Sequence, residues 1–120
     1  MQTFRVSELI AANERMKRAW NEFLRVPALS MGIYRLQAGQ SEDPQQPHTE
    51  DEVYYVVSGK AGFRAGTEEQ AVAPGTLIFV ERGVKHRFFD IVEDLTVLVF
   101  FAPAEGSLAT GKAANVSFAG

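Results

Sequence analysis

The sequence predicts an all-β domain, an antiparallel sandwich or barrel, preceded by a short helical segment. From residue 30 onward the chain consists of short segments rich in β-branched and aromatic residues, separated by Gly, Pro, Asp or Glu turns. This pattern does not fit alternating strand and helix units, which would predict a parallel sheet. The length of 120 residues suits one domain with one core.

The first part of the chain, residues 1–29, predicts a helical or edge segment outside the barrel. Ser7 is a candidate N-cap, and apolar residues follow it at helical spacing as far as Leu24. A second interpretation ends the helix near residue 16 and makes Trp20 to Val26 a strand. Pro27 favours a turn under both interpretations.

Strand-like segments fill the predicted barrel, residues 30–102. The segments are MGIYRLQAG, EVYYVVSG, AGFRAG, EEQAVAPG, TLIFVERG, HRFFDI and LTVLVFFAP. The tail, residues 103–120, contains small and polar residues and predicts a mobile end or one short edge element.

Composition excludes several classes of function. The net charge is −3 and no basic stripe is visible, so nucleic acid is not an expected partner. No apolar run approaches the ~20 residues that span a bilayer, and no signal peptide is evident at the N-terminus. The chain has no cysteine, which excludes disulfides and thiol chemistry and predicts a cytoplasmic location.

The chain has two histidines, and each one lies at the start of a predicted strand with acidic residues nearby in the sequence. His48 precedes three consecutive acids, Glu50 to Glu52, and His86 shares a strand face with Asp90. Neutral imidazole and carboxylate together suit divalent Zn, Fe, Mn or Ni. Two strands that are neighbours in a rolled sheet would bring the histidines together at a metal site. A solvated turn that happens to contain a histidine is the alternative.

The stretch PHTEDEVYYVVSG resembles the first motif of the cupin superfamily, and is similar to that of small single-domain bacterial cupins. Six residues separate Glu52 from Gly59, as the motif requires, and three residues separate His48 from Glu52. His48 thereby takes the second histidine position of the motif, and the first falls on Gln46. The resemblance covers roughly residues 30–102.

The stretch GTLIFVERGVKHRFFD resembles the second cupin motif. Gly75, Gly83 and His86 match it, whereas Glu81 replaces a proline and Asp90 replaces an asparagine. We expect Asp90 either to orient the His86 imidazole or to lie on the surface.

The resemblance implies a jelly-roll β-barrel, also called a double-stranded β-helix, and a homodimer. It implies that His48, Glu52 and His86 bind a divalent metal ion, Fe, Mn, Ni or Zn. Gln46 at the fourth position would ligate through its amide oxygen, hold a water or leave the position open. Glu50 is a substitute if its loop bends inward, and otherwise a solvated acid that makes the approach negative, as Asp51 is.

Three functions are compatible with this site. The first is a metal-dependent enzyme of the dioxygenase, isomerase or lyase type that acts on a small organic molecule. Glu52 is then the candidate catalytic residue, since in related barrels this carboxylate can leave the metal and move a proton. The second is a barrel that binds a small ligand without catalysis, and the third is a metal-free structural barrel. Five aromatic residues are candidates for the pocket wall, with core packing the favoured alternative for each: Tyr54, Phe63, Phe79, Phe88 and Phe100.

Overall fold

The computed structural model describes residues 1–40, 43 and 47–109, and it confirms the predicted all-β fold with one short N-terminal helix. The predictions for residues 110–120 lie outside the described residues. The elements are α1 (Val6–Met16), β1 (Trp20–Val26), β2 (Leu29–Leu36), β3 (Asp51–Ala65), β4 (Glu68–Val72), β5 (Leu77–Val80) and β6 (His86–Ala102). No helix among these residues is long and apolar enough to cross a membrane.

The N-terminal segment follows the second interpretation, a short helix and then a strand. The helix ends at Met16 because Lys17 takes a left-handed conformation, with φ of 53°. The prediction that helical periodicity continues to Leu24 is therefore wrong. Arg5 occupies the N-cap position without a side-chain hydrogen bond, so Ser7 is not the cap.

All pairs in the sheet are antiparallel, and the strand order is β1-β2-β6-β3-β4 with β5 also paired to β3. The first half of β3 lies between β5 and the C-terminal half of β6. Its second half lies between β4 and the N-terminal half of β6. This change of partner along one strand carries the sheet around the core.

The prediction of separate strands on either side of Gly59, and again after Ile91, is wrong. β3 is continuous over 15 residues and β6 over 17 residues. Register shifts between Val56 and Gly62 bend the pair instead of reversing it. Gly59 has φ of 95° and lies against the backbone of Asp94, where a side chain would not fit.

Alternation along β3 separates an inner from an outer face. Glu52, Tyr54 and Val56 are buried inside, whereas Tyr55 is exposed on the other side. Apolar residues on both faces of 53–57 predict a strand that is packed on both sides, and this prediction is wrong within one chain. In β2, Tyr34 points into the barrel and its neighbour Arg35 points outward. The outward Arg35 forms an ion pair with Glu14, with 2.9 Å between Nη1 and Oε1.

Candidate metal centre

The structure brings His48, Glu52 and His86 together at one end of the barrel interior. Glu52 lies on a central strand, paired with Val80 of β5 on one side and Phe101 of β6 on the other. His86 is the first residue of β6. A backbone hydrogen bond connects the turn before β6 to His48: the Gly83 N–H donates to the His48 carbonyl at 2.8 Å.

One donor atom from each of these three residues lies within 4.8 Å of the other two. The His86 Nε2 is 3.0 Å from Glu52 Oε1, and the His48 Nε2 is 3.9 Å from the same oxygen. All three side chains are buried, Glu52 at 1 % exposure. Two imidazoles and one carboxylate therefore converge on a small interior volume.

A backbone contact orients the His86 ring toward this volume. Its Nδ1 lies 2.8 Å from the carbonyl oxygen of Val84. Because a carbonyl only accepts, the hydrogen of the neutral ring belongs on Nδ1, and Nε2 presents a lone pair to Glu52. A lone pair and a carboxylate oxygen only 3.0 Å apart suit a cation that both can bind. The donor set thus fits a divalent metal ion.

Asp90 does not orient the His86 imidazole; it lies on the surface, which was the second of its two predicted roles. It is exposed, with φ of 47°, at an irregular point within β6. The strand-face argument assumed regular alternation from His86 to residue 90, and the local conformation breaks that alternation. The Val84 carbonyl is the acceptor that contacts His86 instead.

Burial raises the pKa of Glu52 to about 7, and the neighbouring His86 opposes part of this rise. The cause is loss of solvation, which disfavours the charged form of a carboxyl group. A bound cation would act in the opposite direction and favour the carboxylate.

A second buried acid, Asp43, lies in the same interior. Its Oδ1 accepts a hydrogen bond from the Tyr34 hydroxyl at 2.5 Å, and its Oδ2 accepts one from the Phe88 N–H at 3.3 Å. Burial and the adjacent Asp43 raise the pKa of Tyr34. The negative charge of Asp43 also raises the pKa of Glu52.

Glu50 and Asp51 are not simply solvated acids that make the approach to the site negative, as the sequence predicted for them. Glu50 is buried, and its two carboxylate oxygens accept hydrogen bonds from the N–H groups of Gly106 and Leu108, at 2.7 and 2.9 Å. Asp51 is partly exposed and accepts from the backbone N–H of Arg82 at 2.9 Å. Gln46, the predicted fourth position, lies outside the described residues.

The five aromatic candidates divide between the two faces of the sheet. Tyr54, Phe63 and Phe88 are buried inside, and the rings of Tyr54 and Phe63 lie 5.9 and 6.0 Å from that of His86. Phe79 is exposed and Phe100 is half-buried on the outer face. The inner three belong to the hydrophobic core, which confirms the favoured alternative of core packing for them, and they form an apolar wall beside the histidines.

Two buried acids near the site, Asp43 and Glu105, were not singled out from the sequence. Glu105 follows β6, and its Oε2 lies 3.4 Å from His48 Nδ1. Neither residue has a motif spacing to the histidines. Glu105 reaches the site because the turn after β6 folds back on the barrel, and Asp43 is held there by the Tyr34 hydroxyl and the Phe88 N–H. No local pattern indicates either contact.

Comparison with protein families places these residues in a known context. The family model described as the cupin domain matches residues 32–101 of this chain. The match covers more than half of the chain and includes all three convergent side chains, His48, Glu52 and His86.

Individual relatives agree with the family match. The chain is similar to an uncharacterized protein of Streptomyces coelicolor, with 47 % identity over 105 residues that cover 88 % of this chain and 99 % of that protein. The structure of TT1209 from Thermus thermophilus is similar with a TM-score of 0.70 and 26 % identity, covering 87 % and 99 % of the two chains. A cupin with a double-stranded β-helix fold from Methanocaldococcus jannaschii has a TM-score of 0.63 and 16 % identity, covering 70 % and 78 %. The predicted jelly-roll fold is thereby confirmed.

Proposed function

This chain belongs to the cupin family, and on that premise we propose that it is a metal-binding cupin acting on a small organic molecule. The metal is a divalent ion, Fe, Mn, Ni or Zn, and its ligands are His48, Glu52 and His86. The reaction is of the dioxygenase, isomerase or lyase type. The observation that supports the proposal best is the convergence of three buried donor atoms within 4.8 Å.

The donor set favours borderline divalent metals over calcium or magnesium. Two imidazole nitrogens and one carboxylate suit Zn, Fe, Mn or Ni, whereas calcium and magnesium prefer oxygen ligands. Three protein ligands leave coordination positions for a small molecule. A bound ion would supply Lewis acidity to polarise an oxygen of that molecule.

The chain's own residues supply the rest of the proposed chemistry. Burial raises the pKa of Glu52 to about 7 in the metal-free protein. With the ion bound, Glu52 would move a proton when its carboxylate leaves the ion, which is the catalytic role that the resemblance implies. Tyr54, Phe63 and Phe88 are buried next to His86 and exclude water from that side of the site. An apolar wall with a few convergent polar groups is typical of a small-molecule site.

Metal uptake by protein purified without a chelating tag tests the proposal. We expect close to one divalent ion per chain, and a higher melting temperature when Fe, Mn, Ni or Zn is added, since a ligand that binds only the folded state stabilises it. His86→Ala should abolish this stabilisation. The control is Lys85→Ala, which removes the neighbouring exposed side chain. Fewer than about 0.2 ions per chain, with no thermal shift on adding any of the four metals, would contradict the metal centre.

Turnover distinguishes the enzyme from its alternative, a barrel that binds a small ligand or has a structural role. The screen combines metal-loaded protein with diketones, phenols and small acids, and follows oxygen uptake and product formation. Wild-type turnover that disappears in Glu52→Gln supports the enzyme. Saturable ligand binding without turnover supports the binding alternative. The absence of both ligand binding and metal uptake supports the structural alternative.

We also propose that the protein is a homodimer, formed through the outer face of the sheet. Leu77 and Phe79 of β5 are 69 % and 65 % exposed. They pair across the sheet with Tyr55 and Val53 of β3, which in turn pair with Leu98 and Phe100 of β6. An apolar surface that extends over three adjacent strands is typical of a protein–protein interface. A second copy of this chain presents the same apolar surface, as a two-fold interface requires.

A further inference from the structure

The chain after β6 folds back over the end of the barrel that contains the histidines. Residues 104–108 form a compact turn, in which the Ser107 N–H donates to the Ala104 carbonyl at 2.9 Å and the Ser107 hydroxyl donates to the same oxygen. The Glu105 N–H donates to Ser30 Oγ at 2.9 Å, and the Arg25 guanidinium donates to the Glu105 carbonyl at 2.7 Å. The backbone of this turn is therefore attached to β1 and β2.

Glu50 attaches the same turn to the segment that contains His48. Its carboxylate accepts from the N–H groups of Gly106 and Leu108, and Thr49 donates its hydroxyl to one of the same oxygens. A buried carboxylate that accepts several hydrogen bonds is held firmly, because losing any of them would leave charge uncompensated. The position of the turn relative to His48 is thus fixed from two directions.

This attachment brings the Glu105 carboxylate to the far side of the His48 ring. Glu105 Oε2 lies 3.4 Å from Nδ1, whereas Nε2 of the same ring faces Glu52. Both carboxylates are buried, so their contacts with His48 are weakly screened. A carboxylate only accepts, and Glu105 is the nearer of the two, at 3.4 Å against 3.9 Å for Glu52. It therefore favours the ring form with hydrogen on Nδ1 and a lone pair on Nε2.

We propose that Glu105 is a positioning residue, which holds His48 in the Nδ1–H form and directs its Nε2 lone pair toward Glu52 and His86. The Val84 carbonyl lies at Nδ1 of His86 at the hydrogen-bonding distance of 2.8 Å, whereas the Glu105 carboxylate acts on His48 electrostatically, as an ion-pair contact at 3.4 Å. The two rings are thereby oriented by different means, one by a backbone carbonyl and one by a carboxylate from the turn after β6. The proposal rests on the proposed metal centre for its purpose, since such partners fix the orientation of histidine ligands and raise their basicity.

The test uses the full chain, uniformly labelled with ¹⁵N and as purified. Two-bond proton–nitrogen correlations distinguish the two neutral tautomers, and the chain has only two histidines, so His86→Gln assigns both rings. At a pH where the spectra show neutral rings, we expect hydrogen on Nδ1 of both. In Glu105→Leu we expect His48 to change to Nε2–H or to a mixture of tautomers, while His86 is unchanged. Glu105→Gln keeps an acceptor oxygen and should restore the wild-type pattern.

Zinc titration of the same variants provides a second measurement. We expect Glu105→Leu to bind zinc about 10–100-fold more weakly than wild type, and Glu105→Gln to recover most of this loss. An Nε2–H tautomer at His48 in the wild-type chain overturns the proposal, even if Glu105→Leu does not fold. So does a folded Glu105→Leu variant with the wild-type tautomer. A wild-type chain that has Nδ1–H at His48 but takes up neither zinc nor Fe, Mn or Ni contradicts the metal centre and supports the positioning role.

Discussion

Glu52 is buried near the start of the central strand β3, close to His48 and His86, and the charge of Asp43 acts on it. The surrounding protein raises its pKa to about 7, mainly because burial removes solvation. A protonated carboxyl group is the favoured form in the metal-free protein below that pH. A divalent metal ion, which the three donor atoms suit, would make the ionised form of Glu52 favourable.

This burial makes the stability of metal-free protein depend on pH. Below the ordinary pKa of 4.5 the carboxyl group is protonated in both folded and unfolded chains, so the buried group costs little. As the pH rises through about 7, the folded chain must hold a buried charge that the unfolded chain leaves in water, and stability is lost. We expect guanidinium unfolding of chelator-treated protein to show lower stability at about pH 8 than at about pH 5.

Glu52→Gln should remove most of this pH dependence, because the amide does not ionise. Glu68→Gln is the matched control at an exposed position of β4 and should keep the wild-type slope. Added zinc should reverse the sign in wild type, since it binds the ionised carboxylate more readily at high pH. An unchanged slope in Glu52→Gln would show that other groups cause the pH dependence.

The bent pair of strands, β3 and β6, is the element on which the barrel depends. Each strand pairs with different neighbours in its two halves, and the bend lies where their register shifts between Val56 and Gly62. Gly59 is at this bend, with φ of 95°, and a Cβ built there would lie 2.3 Å from the Asp94 carbonyl oxygen. We therefore expect the bend to require glycine on two grounds, backbone conformation and close packing.

Two glycine substitutions distinguish the effect of backbone conformation from the effect of close packing. Gly39 has a similar φ of 85° and no atom within 4 Å of an added Cβ. Gly39→Ala should cost about 1–2 kcal/mol of unfolding free energy from the left-handed conformation alone. Gly59→Ala should cost about 1–3 kcal/mol more, because the backbone of Asp94 must move. Equal losses in chemical denaturation would contradict the role of close packing.

The strands could be predicted from the sequence, but their continuity could not. Turn residues after Val57 and around Asp90 have the composition that ends a strand, and local patterns indicate only that the direction changes there. Whether the chain reverses or bends depends on which distant strand pairs with each half. The end of α1 is a similar case, because apolar spacing to Leu24 fits a helix and Lys17 ends it earlier.

At the scale of the molecule, the outer face of the sheet is apolar where a solvated sheet would be polar. Val53 and Tyr55 alternate with the inward Glu52 and Tyr54, so both sets of β3 side chains are largely apolar. One set packs in the core of the chain itself. The proposed homodimer provides the second apolar environment that this sequence pattern indicates.

Phe79→Glu tests the interface with little effect on the monomer, because the side chain is 65 % exposed within one chain. We expect light scattering after gel filtration to give twice the chain mass of 13.2 kDa for wild type, and a shift toward a single chain for the variant. Val92→Glu places the same charge at another exposed apolar position, 72 % exposed and outside this face. It should stay dimeric. A wild-type monomer at micromolar concentration would contradict the homodimer.

The resemblance to the two cupin motifs identified the three convergent residues of the candidate centre, because each of them occupies a motif position within its own stretch. His48 and Glu52 belong to one strand entry and His86 to another, and both stretches have turn glycines in register. Glu105 and Asp43 have no such motif position, and their contacts with the site join them to residues far away in the sequence. The ligand roles, the homodimer and the cytoplasmic location stay predictions.

The place of β6 in the sheet has a consequence for how the protein is made. Both central pairings, β2 with Phe101 to Leu95 and β3 with most of β6, involve β6, the last strand of the described part of the chain. A ribosome adds about 5–20 residues per second, so β2 and β3 are synthesised seconds before their common partner. During that interval the two-sided apolar segment Val53–Val57 has no native neighbour on that edge. We therefore expect the risk of aggregation through this unpaired edge to be greatest before β6 has left the exit tunnel.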